Sequence, residues 1–298
     1  MSDMMTTHEV AAYLRLKERK IYDLVRREAI PFTRVTGKLL FQKALIDRWM
    51  AERTAMVTDA GAVGREVAVP PVIAGSRDPL LDWAARESGS GLALIAGGSR
   101  DGLVRFVEGR ALVAGLHLLD PESGDYNVSA VREAAEGCGA VLIEWAQREQ
   151  GLVVAAGNPL GLRQVGDLVK NSVRVVRRQP GAGTRELLDH LLRRVGGDPD
   201  RLRYAEETAS TGHEVGLAVL GGRADAGLAT RAVAHQLKLG FLPLATERFD
   251  LLIRRRDYFE PPFQKLMAFA RGAAFRAQAA SLTGYDISGL GSVHYNGP

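Results

Sequence analysis

The sequence predicts an α/β protein in which a small basic helical module precedes a larger body of alternating strands and helices. From residue 67 onward, short apolar runs alternate with amphipathic helical segments, a pattern typical of βαβ units and doubly wound sheets. The excess positive charge lies in residues 1–53, which hold 11 Lys and Arg against 7 Asp and Glu, whereas the rest of the chain is balanced at 28 against 28. A length of 298 residues suits two or three domains.

The composition is that of an ordinary soluble globular protein, with 46% apolar and 25% charged residues. No apolar run is long enough to cross a membrane, and the N-terminus does not have the pattern of an export signal. Cys138 is the single cysteine and cannot form an internal disulfide. We therefore expect a cytoplasmic protein with no membrane partner.

Two helices are predicted at the start of the basic module. Thr7 serves as the expected N-cap of a first helix over residues 8–14, and a tight turn leads to a second helix over about 17–28. Apolar residues on the second helix recur at i, i+3 and i+4, which places its basic residues on the opposite, solvent-facing side. The residues of this apolar stripe are Ile21, Leu24 and Val25.

A hairpin and a third helix complete the basic module. Pro31 ends the second helix, and residues 32–41 contain two short strand-like pieces around a basic Thr-Gly-Lys tip. A third helix over about 42–53 is expected to bring its apolar residues to the same core. These residues are Leu45, Ile46 and Trp49.

This order of elements over residues 5–53 resembles the winged helix-turn-helix of the excisionase and MerR type. The resemblance implies that the second helix enters the major groove of double-stranded DNA and that the hairpin touches the flanking backbone. Carried over by position, the DNA contacts would be Lys17, Arg19, Lys20, Tyr22, Arg26 and, at a phosphate, Lys38.

The body is expected to have two lobes. Residues 1–53 form the head, and residues 54–68 have no sustained periodicity, which predicts a flexible or partly helical linker to a body over 69–298. Two extended crossings, 151–159 and 249–254, are predicted to join the lobes. The predicted lobes are about 69–155 with 253–298, and about 159–248.

Small and polar residues follow the predicted strands of the first lobe. Gly-Ser-Arg-Asp-Pro occupies 75–79, Gly-Gly-Ser-Arg-Asp-Gly occupies 97–102, and a longer loop runs over 117–127. Ligands of doubly wound sheets bind beyond the carboxyl ends of the strands. Hydroxyls and glycine N–H groups at helix starts therefore predict an anion site here.

The segment Arg-Arg-Gln-Pro-Gly-Ala-Gly-Thr-Arg, residues 177–185, makes the same prediction for the second lobe. Its glycines let the backbone approach a guest closely, and the hydroxyl of Thr184 opens a helix. Arg178 and Arg185 could add charge-assisted donors. The segment is not a P-loop, because no Lys follows its last glycine. Further along, His213 lies near another helix start and could donate to an anion.

The motifs of the body are similar to those of the PBP-like domain related to periplasmic molybdate- and tungstate-binding proteins. They are Gly-Ser-x-Asp-Pro, Gly-Leu-His-Leu, Gly-x-Tyr-Asn, Gly-Asn-Pro, Arg-Gln-x-Gly-x-Gly-Thr-Arg, Gly-Arg-Ala-Asp-Ala-Gly-Leu and Thr-Gly-Tyr-Asp, over about 67–291. The resemblance implies a type II periplasmic-binding-protein fold with an oxyanion in the cleft. The candidate ligand residues are Ser76, Arg77, Ser99, Asn127, Gly183, Thr184, Arg185 and His213.

Together the two resemblances imply a one-component transcriptional regulator, acting as a homodimer, with molybdate or tungstate as effector and no covalent cofactor or metal site. Three alternatives stay open. The same architecture could sense a carboxylate or a molybdenum-cofactor precursor, since an arginine fork matches carboxylate and phosphate alike. The body could be an enzyme, although no Cys–His pair, metal-ligand spacing or carboxylate dyad follows the strands. The protein could also be an architectural DNA binder without a ligand.

Overall fold

The computed structural model divides the chain into two compact units, Met1–Ala68 and Val69–Pro298. The predicted linker, residues 54–68, lies outside the described residues. No helix in the described part of the chain is long and apolar enough to cross a membrane. The structure describes residues 4–27, 30–35, 37–47, 49–50, 69–170 and 172–298.

The first unit is a small α/β head. Its three strands form an antiparallel sheet in the order β1-β3-β2. Strand β1 was not predicted, because three residues are too few to show a period of two. Residues 43–47 and 49–50 are helical, as the predicted third helix requires. The other elements are β1 (Met4–Thr6), α1 (Thr7–Tyr13), α2 (Glu18–Arg26), β2 (Thr33–Val35) and β3 (Lys38–Gln42).

Two details of the head differ from the sequence prediction. The N-cap of α1 is Thr6, not Thr7: its hydroxyl accepts from the Glu9 N–H at 3.3 Å, and the Glu9 carboxylate accepts from the Thr6 N–H at 2.7 Å. Leu45 is 45% exposed and does not join the core, whereas Ile46 is fully buried. The core of the head consists of Val10, Ala11, Ile21, Val25, Ile30, Phe41 and Ile46.

The second unit alternates strands and helices along most of its length, as predicted. Its strands are β4 (Val72–Gly75), β5 (Ala93–Ala96), β6 (Val113–Leu116), β7 (Ala140–Val154), β8 (Val175–Arg178), β9 (Tyr204–Ala209), β10 (Ala226–Thr230), β11 (Gly240–Arg254), β12 (Tyr285–Asp286) and β13 (Val293–Asn296). Its α-helices are α3 (Pro79–Glu87), α4 (Ser99–Val107), α5 (Val128–Ala134), α6 (Gly183–Arg194), α7 (Gly212–Leu220), α8 (Arg231–Gln236), α9 (Pro261–Ala270) and α10 (Ala273–Leu282). Three short 3₁₀ helices span Val165–Val169, Pro199–Arg201 and Asp257–Phe259.

The strands form one mixed sheet in the order β5-β4-β6-β11-β7-β10-β8-β9, and β12 and β13 also pair with β7. Strands β4, β5 and β6 are parallel to one another, and so are β8, β9 and β10. The two long strands β7 and β11 run antiparallel to each other. In addition, β7 is antiparallel to its outer neighbour β10, and β11 is antiparallel to its outer neighbour β6. Two parallel halves are therefore joined by a central antiparallel pair.

Helices cover both faces of each half, which is the doubly wound arrangement. In the first lobe, α3, α9 and α10 pack on one face and α4 with α5 on the other. In the second lobe, α6 packs on one face and α7 with α8 on the other. Each lobe thus has its own apolar core on either side of the sheet.

The strands cross between the lobes earlier than the sequence predicted. On β7 the chain passes from the first lobe to the second near Gln150, because the residues after Gln150 pair with β10 and pack in the cores of the second lobe. On β11 the chain returns to the first lobe between Pro243 and Glu247, and Phe249 packs in the core of the first lobe. The predicted crossings, 151–159 and 249–254, therefore lie inside the lobes. Charged residues interrupt the apolar pattern of β7 and β11, so the sequence did not predict two continuous strands. The side chains that pair with these charges are distant in sequence.

Candidate functional sites

A cleft of about 520 Å³ opens between the two lobes. The first lobe contributes the loop after β4, the glycines after β5 and His117 after β6, while the second contributes Arg178, Thr184 and residues 210–214. These loops follow the carboxyl ends of the parallel strands, where doubly wound sheets bind ligands. The cleft therefore lies where the sequence places the anion site.

Two serine hydroxyls form a hydrogen-bonded chain on the first-lobe side. The Ser99 hydroxyl oxygen accepts from the His117 backbone N–H at 3.1 Å, and it lies 2.8 Å from the Ser76 hydroxyl oxygen. Because the His117 N–H occupies one acceptor position of Ser99, the Ser99 proton can be donated to Ser76. Either hydroxyl can donate in this pair; when Ser99 donates, the Ser76 proton is free for an acceptor in the cleft.

A close backbone approach holds this serine loop in position. Gly75 has a φ of +106°, and a Cβ there would lie 2.6 Å from the Gly115 carbonyl oxygen. The Ser76 N–H donates to the same carbonyl at 3.0 Å. Only glycine can adopt this φ and leave room for the Gly115 carbonyl oxygen. The close approach therefore fixes the position of Ser76 in the cleft.

On the second-lobe side, two helices begin at the cleft. Thr184 is the second residue of α6 and is 4% exposed, and its side chain lines the cleft. Helix α7 begins at Gly212, where the Thr211 hydroxyl accepts from the Glu214 N–H at 3.1 Å. The first-turn N–H groups of a helix have no intrahelical acceptor and carry a positive partial charge. The start of α6 therefore favours a negative guest, whereas at α7 the Glu214 carboxylate already accepts from the Ser210 N–H at 2.7 Å.

Arg178, at the end of β8, is the cation of the second lobe that faces the cleft. Its guanidinium donates to the carbonyls of Ala209 at 3.2 Å and Ser210 at 3.1 Å. No carboxylate in the described part of the chain forms an ion pair with it. Burial lowers the pKa of Arg178 to about 10, and Glu214 and Glu247 only partly offset that effect. The group stays charged at neutral pH, and a bound anion would neutralise it.

A buried ionic network lies beneath the cleft where β7 and β11 cross. Arg148 donates to Asp78 at 2.9 Å and also to Glu247. Glu247 also accepts from the Gln150 amide at 2.7 Å and lies 2.9 Å from His117 Nδ1. Burial by itself would raise the pKa of Glu247, but Arg148 and His117 outweigh it and hold the pKa at about 2. The network joins strands and loops of the first lobe at the lobe boundary.

The lobes touch at one edge of the cleft. Arg100 of α4 and Glu186 of α6 form a bidentate ion pair, with distances of 2.6 and 3.1 Å. Close to it, the Arg100 N–H donates to the Gly181 carbonyl at 3.4 Å. At Gly183 a Cβ would lie 2.4 Å from the His117 carbonyl oxygen, so only glycine allows the start of α6 to come this near. The cleft is closed at this edge by direct contact between lobes.

The head presents a second polar groove, between α2 and the hairpin. Residues of the exposed α2 face and of the hairpin line it, including Tyr22, Arg26, Arg34 and Lys38. Arg19, Tyr22 and Arg26 lie at i, i+3 and i+7 on one helical stripe, and Tyr22 is 53% exposed. An exposed cationic stripe beside a basic hairpin suits the backbone of a nucleic acid.

Comparison with known proteins identifies both units. Residues 81–271, more than half of the chain, match the family model of the PBP superfamily domain. The chain belongs to the PBP superfamily. Residues 4–54 of the head match the helix-turn-helix domain model. The expected architecture of a helix-turn-helix joined to a PBP-like domain is therefore confirmed.

Similar proteins support the same organisation. The Bacillus subtilis (strain 168) protein YvgK is 25% identical over 303 residues, covering 97% of this chain and 96% of YvgK. A Clostridium pasteurianum protein from the 5′ region of a ferredoxin gene is 31% identical over 108 residues, 36% of this chain and 96% of its own length. A phosphate-bound substrate-binding protein from Clostridium perfringens has a similar fold, with a TM-score of 0.53 and 15% identity over 71% of this chain and 96% of its own.

Four of the eight predicted ligand residues line the cleft of the PBP domain: Ser76, Arg77, Thr184 and His213. Arg77 is not a free cation there, since its Nε donates to Asp82 at 2.8 Å. Burial raises the pKa of Asp82, and Arg77 opposes that effect. His213 is exposed at the start of α7. Ser99 is fully buried one layer behind the cleft wall and acts through Ser76.

Three predicted ligand residues are placed elsewhere. Asn127 is fully buried and bonds to Asp250 at 2.8 Å and to the Leu118 N–H at 2.6 Å, so its side chain holds the loop after β6. Gly183 packs against His117 rather than lining the cleft. Arg185 lines a small adjoining cavity that shares Arg178 and Thr184 with the cleft, because each helical residue is rotated by about 100° from the one before it.

Arg178, Arg148 and Gln150 also line the cleft; of these, only Arg178 was named from the sequence as a possible donor, outside the set of eight. For Arg178 a signal was present, because it is the last residue of an apolar run and so lies at a strand end. For Arg148 and Gln150 there was none, since both lie inside a strand whose partners come from residues about 70 to 100 positions away. The described residues contain no cluster that could hold a metal ion.

Proposed function

We propose that this protein is a DNA-binding regulator whose PBP domain senses a small anion. The observation that supports it is that both lobes line one cleft with groups able to donate to an anion: the Ser76 hydroxyl from the first lobe, and Arg178 with the α6 start from the second. Among the cationic side chains that line the cleft, Arg178 alone is both largely buried and without an ion-pair partner in the described residues. A guest that touches both lobes would favour the closed arrangement.

Molybdate or tungstate is the effector implied by the resemblance of the sequence to oxyanion-binding proteins. Hydroxyl and helix-terminus donors suit a tetrahedral oxyanion, because they neutralise charge through dipoles. Phosphate and sulfate present the same four oxygens. A carboxylate is the second candidate, since the Arg178 fork can hold two oxygens of one group.

The anion proposal can be tested by thermal unfolding of the full chain with molybdate, tungstate, sulfate or phosphate. A ligand at one hundred times its Kd stabilises the native state by about 2.7 kcal/mol. For a domain of this size that corresponds to a rise of about 5–10 °C in melting temperature. Chloride at equal ionic strength is the control. An unchanged melting temperature with all four oxyanions and with a carboxylate such as acetate would rule out anion sensing.

We further propose that the α2 face of the helix-turn-helix domain reads DNA. The Arg19→Ala variant is expected to weaken binding to a random-sequence duplex by about three- to tenfold at low salt, and to reduce the slope of log affinity against log salt by about 0.9 if one phosphate contact is lost. Fluorescence anisotropy measures both quantities. Arg27→Ala is the matched control, because Arg27 lies on a neighbouring stripe and pairs with Asp23 at 3.3 Å. Equal losses in both variants would argue against a specific role of the Arg19 stripe.

We propose a homodimer, since helix-turn-helix domains bind paired half-sites as two-fold dimers. The edge strand β5 is the surface we assign to the second copy. Its four residues, Ala-Leu-Ile-Ala, carry no charge, three of them are exposed, and its register with β4 is regular. The opposite edge strand β9 carries Glu206 and Glu207 and an irregular register, two devices that prevent edge pairing.

Ile95→Lys is therefore expected to shift the protein from dimer to monomer, because a charge at the centre of an edge strand opposes strand pairing. Ile95 is 39% exposed, so the fold tolerates the lysine. Sedimentation velocity measures the change. Leu220→Lys on α7, at an apolar residue with 56% exposure, is the control and should stay dimeric. A variant at Ile95 that remains dimeric would exclude β5 as the interface.

A further inference from the structure

We infer that the anion in this cleft is the head group of a larger organic ligand with a flat apolar body. This inference rests on the proposed function and concerns the same cleft. At about 520 Å³ the cleft belongs to the size class of about 300–1,000 Å³ that holds organic ligands. It has room for roughly 17 water molecules at about 30 Å³ each, whereas a tetrahedral oxyanion of five heavy atoms would displace only about five of them.

The two ends of the cleft differ in chemistry. One end holds the polar groups of the anion site, around Ser76, Arg178 and Thr184. The other end lies between α3, α8 and α10, where the apolar residues Trp83, Val233 and Leu282 line the wall together with Arg86, Gln236 and Gln278. A ligand that is anionic at one end and apolar at the other matches this division.

Trp83 is the main apolar surface available to such a ligand. Its indole packs on Phe269 with ring centroids 5.2 Å apart and a tilt of 53°, which fixes its orientation. The residue stays half-buried and lines the cleft. Val233 and Leu282, at 4% and 5% exposure, form an apolar floor beside it. A fixed indole next to aliphatic side chains is suited to an aromatic or other flat ring.

The arrangement of the lobes also favours a ligand that extends to the apolar end. Trp83 belongs to the first lobe and Val233 to the second, so a ring between them would touch both lobes away from the anion site. The lobes touch at the contact edge formed by Arg100 and Glu186 and also between α8 and α10, and Trp83 and Val233 both line the cleft. A ring placed there would bury apolar surface of both lobes and add to the preference for closure.

The experiment compares pairs of anions that differ by a phenyl group: inorganic phosphate against phenyl phosphate, and acetate against benzoate. Isothermal titration calorimetry with the full chain is expected to give at least tenfold tighter binding for the phenyl member of the pair whose head group fits. Phosphate and carboxylate heads are thereby distinguished. Trp83→Ala should remove this preference and leave the affinity for the parent anion within about twofold.

A second variant keeps the test independent of the packing of Trp83. Gln278→Trp places a large side chain into the apolar end from α10, and it should exclude the phenyl ligands while the parent anion still binds. If the parent anion binds and its phenyl derivative binds no more tightly, the inference is wrong and anion sensing stands. If no anion of any kind binds, including molybdate and tungstate, both proposals are wrong.

Discussion

Replacing Glu247 by glutamine is expected to destabilise the PBP domain by about 3–5 kcal/mol, because it leaves the buried Arg148 without one of its two carboxylates. Arg148 is 2% exposed and Glu247 is 1% exposed, so water cannot replace the lost partner. Gln150 and His117 also lose their charged acceptor. For a domain of this size the loss corresponds to a fall of about 6–20 °C in melting temperature.

A matched control separates this effect from the general loss of a carboxylate. Glu149 lies on β7 beside the network and pairs with Arg231, but the two side chains are 39% and 37% exposed. Glu149→Gln is therefore expected to cost less than about 1 kcal/mol, as exposed pairs do. Urea unfolding followed by circular dichroism measures both variants. Similar losses at the two positions would contradict the importance of burial.

The same network predicts a pH dependence of stability. The pKa of Glu247 is about 2 in the folded protein and close to 4.5 in an ordinary environment. The folded state therefore binds this proton less readily than the unfolded chain, so the contribution of Glu247 is complete above about pH 5 and is lost as pH falls toward 2. The difference in unfolding free energy between wild type and Glu247→Gln should shrink across that interval. A difference that stays constant would show that ionisation of Glu247 is not its cause.

Arg178→Gln is expected to weaken binding of the anion by about 10- to 150-fold, since a hydrogen bond to a charged group contributes about 1.5–3 kcal/mol. Burial disfavours the charged form of Arg178, as its lowered pKa shows, so its removal should change the melting temperature of the ligand-free protein little. Titration calorimetry with the anion that gives the largest thermal shift measures the affinity.

Arg185→Gln is the control for this prediction. The two variants remove the same charge from residues seven positions apart, but Arg185 does not line the cleft; it lines a small adjoining cavity beside Asp189 and Tyr204, which Arg178 also borders. Anion affinity should stay within about twofold of wild type, because charges outside the cleft are screened by solvent. A larger loss at Arg185 than at Arg178 would overturn the assignment of the cleft cation.

Local sequence patterns predicted many elements of both units, but not β1 and not β7 and β11 as continuous strands. The helix over Pro79–Glu87 has the predicted bounds, since Asp78 caps it and Pro79 starts it. The apolar runs 68–74, 92–96 and 111–118 predict strands, and β4, β5 and β6 form there, with β4 ending one residue beyond its run; residues of the strand-end loops line the cleft. Such features depend on periods of two and 3.6 residues and on turn residues, all of which are readable within a few positions.

The sequence by itself determined the order of the units, the location of the excess charge in the head and the loops that border the cleft. Only the tertiary structure decided which arginine of this segment lines the cleft. Arg177 stacks on Tyr204 at 3.9 Å and Arg185 lines the small adjoining cavity, whereas Arg178 reaches the cleft. It also decided that Arg148 and Glu247 lie inside continuous strands, because the partner that neutralises each charge is about 100 residues away. Pairing over such separations is set by the packing of the whole domain, which no local period records.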